Sequence, residues 1–145
     1  IGAHFHNLDF NLHTAAHLVR AAQEGIAYSF RYGLDIMREN GMNPSIIRAG
    51  RANMFLSEVF TQSFVNATGV PVELYQSDGS IGAALGAGVG AKIFRHPQEA
   101  FAGRKPLALV EPTQAAAYDA LYLAWKELLK TQLQKTPAYK QTVNV

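Results

Sequence analysis

A chain of 145 residues, 48% of them hydrophobic and 17% charged, has the size of one domain around one core and too much apolar content for disorder. Thirteen basic and eleven acidic residues leave a net charge of +2, too weak for a nucleic-acid footprint. The absence of cysteine excludes a disulfide framework, a thiolate metal site and a cysteine nucleophile, and it suits a reducing compartment. No apolar run has the length of a membrane span and no stretch reads as a secretory leader. The expectation is a soluble, cytoplasmic domain; its first residue, Ile1, fits a portion of a longer protein.

Residues 1–12 alternate aromatic and polar side chains, among them Phe5, Leu8, Phe10 and Leu12, and suit a strand or an irregular lead-in. Thr14 is placed to cap a helix. Beyond it, Leu18, Ala22, Gly25, Ile26, Ser29, Phe30, Gly33, Leu34 and Met37 recur at helical steps. They predict one buried face of a helix about 26 residues long, stopped by Asn40-Gly41. Gly25 and Gly33 each cost about 1 kcal/mol against alanine, which close approach of a neighbouring element is expected to offset.

Pro44 bars further helix, and Ser45-Ile46-Ile47 reads as a short buried strand. Residues 48–52 read as a turn and Asn53 as the cap of the next helix. That helix is expected to bury Phe55, Leu56, Val59, Phe60, Phe64 and Ala67 and to stop at Gly69. Residues 70–75 have the branched and aromatic character of a second strand. Ser77-Asp78-Gly79-Ser80 is a turn with capping side chains, and a glycine-alanine helix follows from Ile81 to about Phe94. Strand, helix, strand, helix predicts a parallel pair with a right-handed crossover. Pro97, Gly103, Pro106 and Pro112 make the next stretch a connector. Thr113 then caps a last helix through Tyr118, Leu121, Tyr122, Trp125, Leu128 and Leu129, ending before Pro137. The fold class is α/β, with few strands and several covering helices. Two strands, or three, cannot make a sheet sufficient for those helices, so a missing portion is expected, with self-association covering the exposed edge.

Three motifs invite a functional reading. His13 and His17 share one helix face, but the stretch between them lacks the glutamate of a zinc hydrolase; capping and surface roles are the expectation. The run Gly82-Ala83-Ala84-Leu85-Gly86-Ala87-Gly88-Val89-Gly90 is not a dinucleotide fingerprint, because its glycines fall inside the helix and not in the preceding turn. Gly82, Gly86 and Gly90 instead share a face that suits a close neighbour or a flat ligand. Arg48-Ala49-Gly50-Arg51-Ala52-Asn53 joins a strand to a helix N-terminus, where free backbone N–H groups favour a polar or negative ligand.

The order of these motifs is what carries a resemblance. His13-Thr14-Ala15-Ala16-His17, then Ile46-Ile47-Arg48-Ala49-Gly50, Thr68-Gly69-Val70-Pro71-Val72 and Gly82-Ala83-Ala84-Leu85-Gly86-Ala87 together resemble the C-terminal part of the FGGY family of carbohydrate kinases, most closely its xylulose kinases, over about residues 1–135. The resemblance implies part of a ribonuclease-H-like (actin-like ATPase) domain, with residues 136–145 as a C-terminal tail. It implies ATP and Mg²⁺ as cofactors, D-xylulose as sugar substrate, and Ala49, Gly50, Arg51, Asn53 and Gly82 as nucleotide-binding residues. Arg48 and Ala49 stand where the family usually has glycine, and Ala15 where relatives often have arginine. The catalytic aspartate and the phosphate-gripping loop are expected in an N-terminal domain that this sequence does not contain, so the chain alone should not phosphorylate a sugar. A non-catalytic regulatory or assembly module is the alternative from another class.

Overall fold

Helix α1 (Ala15–Glu39) follows a lead-in whose backbone N–H groups are met by histidine side chains. His17 Nδ1 accepts from the Thr14 N–H at 3.1 Å, and His13 Nδ1 accepts from the Asp9 N–H at 3.0 Å, so both histidines act in the helix lead-in. The computed structural model describes residues 2–135; the tail expected over 136–145 lies outside the described residues. Residues 2–12 form an irregular lead-in with no strand. At the far end of α1, Gly41 takes φ +84° and the Met42 N–H closes onto the Met37 carbonyl at 3.0 Å, the wrap-around hydrogen bond of a glycine-stopped helix.

The buried stripe of α1 shares only Leu34 with the one its apolar spacing predicts. Ala27, Tyr28 and Leu34 are buried, while Ile26, Phe30 and Met37 remain exposed. The buried side also carries Arg31, Asp35 and Arg38. Polar residues are stable there because Arg31 bonds the Ala67 carbonyl and Arg38 Nη2 bonds the Thr68 carbonyl at 2.9 Å. Both carbonyls belong to the last turn of α2, where helix C-termini lack internal donors. Nothing lies within 4 Å of a Cβ built on Gly25 or Gly33; the close approach expected at those glycines is not made by the described residues.

Strand β1 (Ile47–Gly50) begins two residues later than expected and takes in Arg48, Ala49 and Gly50, which were read as turn. Arg48 continues the strand because Glu73 pairs with it across the ladder. After a 3₁₀ turn (Asn53–Leu56) comes α2 (Glu58–Thr68). Its cap is Ser57, not Asn53: Ser57 Oγ accepts from the Phe60 N–H at 3.2 Å and donates to Gln23 Oε1 at 2.7 Å. Helix α2 is the core element, burying Phe60, Phe64, Val65 and Ala67, whereas Leu56 and Val59 are exposed, contrary to the apolar reading. Gly69 ends it at φ 67°.

Strand β2 (Val72–Tyr75) is central. It runs parallel to β1, from Ile47 opposite Val72 to Gly50 opposite Tyr75, as the element order predicts. It pairs antiparallel with β3 (Ala108–Val110), Val72 facing Val110. Strand β3 lies inside the stretch read as connector; three residues are too few to show a period. Between them lie α3 (Gly79–Gly90) and the single turn α4 (Pro97–Ala100). Helix α3 starts and ends earlier than expected, and Lys92 takes a positive φ of 60° just past its end.

Helix α5 (Ala115–Lys135) closes the core. Asn66, buried in α2, organises its entrance: Oδ1 accepts from the N–H of Thr113 at 2.7 Å and of Gln114 at 2.9 Å. That amide does the work expected of a Thr113 cap. Tyr118 and Tyr122 are buried, but Leu121 is half exposed. Tyr118 donates to Glu24 Oε1 at 2.9 Å and Tyr122 to Asp35 Oδ2 at 2.8 Å, so two phenols dock α5 onto α1.

Candidate functional site

Parallel strands β1 and β2 end level with each other, Gly50 opposite Tyr75. The turns that follow them therefore leave the same carboxyl edge side by side, which is where open α/β sheets hold ligands. The Arg51 N–H bonds the Tyr75 carbonyl at 2.9 Å, extending the ladder by one residue. The Ala52 N–H then turns back onto the Gly50 carbonyl and the Ser77 N–H onto that of Tyr75, each at 2.8 Å.

Gly50 is where the two turns touch. A Cβ at this position would lie 2.2 Å from the Ser77 carbonyl oxygen and 2.8 Å from its carbon. Both atoms are backbone, so no side-chain movement could make room. The glycine that the resemblance names as nucleotide-binding allows, in the structure, one turn to approach the other.

The other candidates divide by orientation. Ala49 packs its methyl into the core beside Ile47 and offers a ligand only its backbone. Arg51 and Asn53 are exposed, and neither side chain has a hydrogen-bond or ion-pair partner among the described residues. Asn53 also holds φ 52°, a left-handed conformation that asparagine tolerates better than most residues. Gly82 lies on the exposed face of α3, where a Cβ would meet nothing within 4 Å. Its helix packs on β1, the strand that ends at Gly50. Within α3 the crowded glycine is Gly88, where a Cβ would lie 2.7 Å from the Phe94 ring; at Gly82, Gly86 and Gly90 a Cβ would meet nothing within 4 Å among the described residues.

Two features of this edge escape a reading of spacing alone. Asp78 caps α3, its Oδ1 accepting from the Ser80 hydroxyl at 2.5 Å and the Ser80 N–H at 3.0 Å. Those bonds, the hydroxyl's first, hold the Asp78 carboxyl below its ordinary range and keep a negative charge beside the Gly50–Ser77 contact. The second feature is a polar cluster on the sheet. Arg48 Nε meets Glu73 Oε2 at 2.9 Å, Tyr75 donates to the same oxygen at 2.6 Å, and the Arg48 guanidinium lies 5.1 Å above the Phe101 ring. Next to the turns, a groove of about 390 Å³ runs between α2 and β3, lined in part by Arg51, Phe55, Leu56, Thr61, Leu107 and Val110.

Among the described residues no three His, Asp or Glu side chains gather into a metal-ligand group. His13 and His17 stand ring to ring, 5.9 Å apart, each with Nδ1 committed to a backbone N–H. No helix among the described residues is long and apolar enough to cross a membrane.

Comparison with known proteins agrees with this architecture. The C-terminal domain of the FGGY family of carbohydrate kinases matches residues 3–91. An L-xylulose/3-keto-L-gulonate kinase from Escherichia coli (strain K12) is 32% identical over 125 residues, covering 81% of this chain and 24% of that protein. The crystal structure of xylulose kinase from Rhodospirillum rubrum superposes with a TM-score of 0.68 at 26% identity, over 86% of this chain and 26% of that one. Plasmodium falciparum glycerol kinase with ADP shares the fold, with a TM-score of 0.65 at 21% identity, over 87% of this chain and 26% of that one. The three-stranded sheet and its helices are thus part of an actin-like ATPase fold, and the chain spans about a quarter of the length of the relatives it matches.

Proposed function

The chain belongs to the FGGY family of carbohydrate kinases, and on that premise we propose that it forms the adenosine-binding wall of an ATP-dependent sugar kinase, through Ala49, Gly50, Arg51, Asn53 and Gly82. The observation that carries this reading is the paired edge. Two turns meet at Gly50 and Ser77 with no side chain between them, and three residues on from Gly50 the Asn53 amide is exposed and without a hydrogen-bond partner among the described residues. An amide offers one acceptor and two donors, the complement of a base or ribose edge. The open small-residue face of α3 at Gly82 suits the flat body of a nucleoside. Asp78 disfavours phosphates at this point, since like charges repel at close range. The nucleoside end, and not the triphosphate end, belongs on this chain.

In the complete kinase, an aspartate from an N-terminal domain takes the proton of the sugar hydroxyl. The hydroxyl oxygen bonds to the γ-phosphorus as the bond to the β–γ bridging oxygen breaks, and ADP leaves. Mg²⁺ bound with the ATP offsets the phosphate charge. This chain's part is to hold the adenosine so that the γ-phosphate is in line, and to help close the cleft against water. We assign the kinase to the cytoplasm, where its ATP is.

D-xylulose, giving D-xylulose 5-phosphate, is the substrate the proposal favours. The name of the E. coli relative supports a second assignment, L-xylulose or another L-ketose. ADP release by the complete kinase with D-xylulose, L-xylulose and glycerol decides between them: a preference for one xylulose is expected. Absent turnover of both xyluloses, with glycerol accepted, would overturn the ketose assignment.

A further inference from the structure

We propose that Arg48 is a positioning residue for the nucleotide turn: paired with Glu73 and laid on Phe101, it locks β1 to β2 at the level that sets residues 50–53 against Ser77 and Asp78. The inference rests on the reading that these residues hold the nucleoside. Arg48 and Glu73 are direct partners in the parallel register, and each lies two residues before the contact it supports. Two residues on from Arg48 is Gly50, which has no space for a methyl against the Ser77 carbonyl. Two residues on from Glu73 is Tyr75, whose carbonyl receives the N–H groups of both Arg51 and Ser77.

The cluster joins separate pieces of chain. Glu73 Oε2 takes the Arg48 Nε–H at 2.9 Å and the Tyr75 hydroxyl at 2.6 Å, while the Phe101 ring lies 5.8 Å from that of Tyr75 and 5.1 Å below the Arg48 guanidinium. About one third of the Arg48 side chain and one fifth of that of Glu73 remain exposed. A planar guanidinium that both pairs with a carboxylate and stacks on a ring resists translation in two directions, which a lysine ammonium does not. Such a brace suits a contact as tight as Gly50 on Ser77, where backbone cannot yield as side chains do. Arg48 itself is spent on Glu73 and Phe101, and the inference gives it no contact with ATP.

The test is made on the complete kinase. Arg48→Met keeps the stem and removes the charge and the stacking plane; Glu73→Gln keeps the shape and an acceptor. For Arg48→Met the expected result is a rise of about tenfold in the KM for ATP and in the dissociation constant of ADP, with the sugar KM and kcat changed by less than about twofold. Glu73→Gln should show a smaller rise of the same kind, and Arg48→Lys should restore little of the loss. Folding is checked by circular dichroism, and Glu73→Gln decides if Arg48→Met does not fold. Unchanged ATP KM in these variants, while Asn53→Ala weakens ADP binding, would overturn the positioning role and leave the site reading intact. Unchanged ADP affinity in Asn53→Ala and Gly82→Leu would overturn the site reading, and this inference with it.

Discussion

At Gly50 one hydrogen in place of a methyl lets two turns meet. Gly50→Ala is therefore expected to cost on the order of 2 kcal/mol or more, because the overpacking is against backbone; the midpoint of thermal unfolding reads it, and an unchanged midpoint would contradict the packing assigned here. Gly33→Ala should do the opposite. A methyl there meets nothing within 4 Å among the described residues, and removing a mid-helix glycine is expected to raise stability by up to about 1 kcal/mol. The sequence shows both glycines and cannot rank them, because the difference lies in what stands opposite. Asn53 was legible as a site candidate but not as a residue at φ 52°, since a left-handed asparagine and a capping asparagine look alike in one dimension. Arg48 was read as turn because arginine ends an apolar run; its partner Glu73 is twenty-five positions away, and only pairing makes it a strand residue.

Among the elements, α2 was easiest to read and α1 hardest to orient. Helix α2 is buried on nearly every side, so its apolar positions hardly depend on which face is inside. Helix α1 was given the right length and stop but the wrong inner face. Its charged residues are inside because the C-terminal carbonyls of α2 and the phenol of Tyr122 satisfy them. Burial alone would raise the pKa of Asp35, but hydrogen bonds from Tyr122, Arg31 and Arg38 outweigh it and hold the carboxyl below its usual range. A carboxylate with a depressed folded pKa stabilises the fold above its unfolded value, about 3.9, and that stability is lost as pH falls through the folded pKa. Unfolding midpoints should therefore drop steeply below about pH 4, with a shallower acid slope in Asp35→Asn; an identical slope would show that Asp35 is not among the groups responsible. Tyr122→Phe, which removes one charge-assisted bond, is expected to cost about 1–2 kcal/mol in chemical unfolding at neutral pH, and a cost near zero would contradict the docking of α5 described here.

Over the whole molecule, the deficit of strands was legible and the identity of what covers the open faces was not. Val19, Ile26, Phe30 and Met37 lie exposed along one side of α1, the kind of apolar face that suits contact with another chain or domain. The chain by itself is expected to self-associate, and light scattering showing a monomer at all accessible concentrations would contradict this. Because the same chain is about a quarter of the length of its relatives, the kinase reading depends on whether its paired turns bind nucleotide. The most direct measurement is calorimetric titration of ADP into the complete kinase and its Asn53→Ala variant. The expected result is an affinity at least about tenfold weaker in the variant, as for loss of a paired amide in a desolvated site, with the fold kept and stability lowered only by the roughly 1 kcal/mol that alanine costs at the left-handed φ of this position. Equal affinities in the two proteins would place the nucleoside elsewhere and contradict the site.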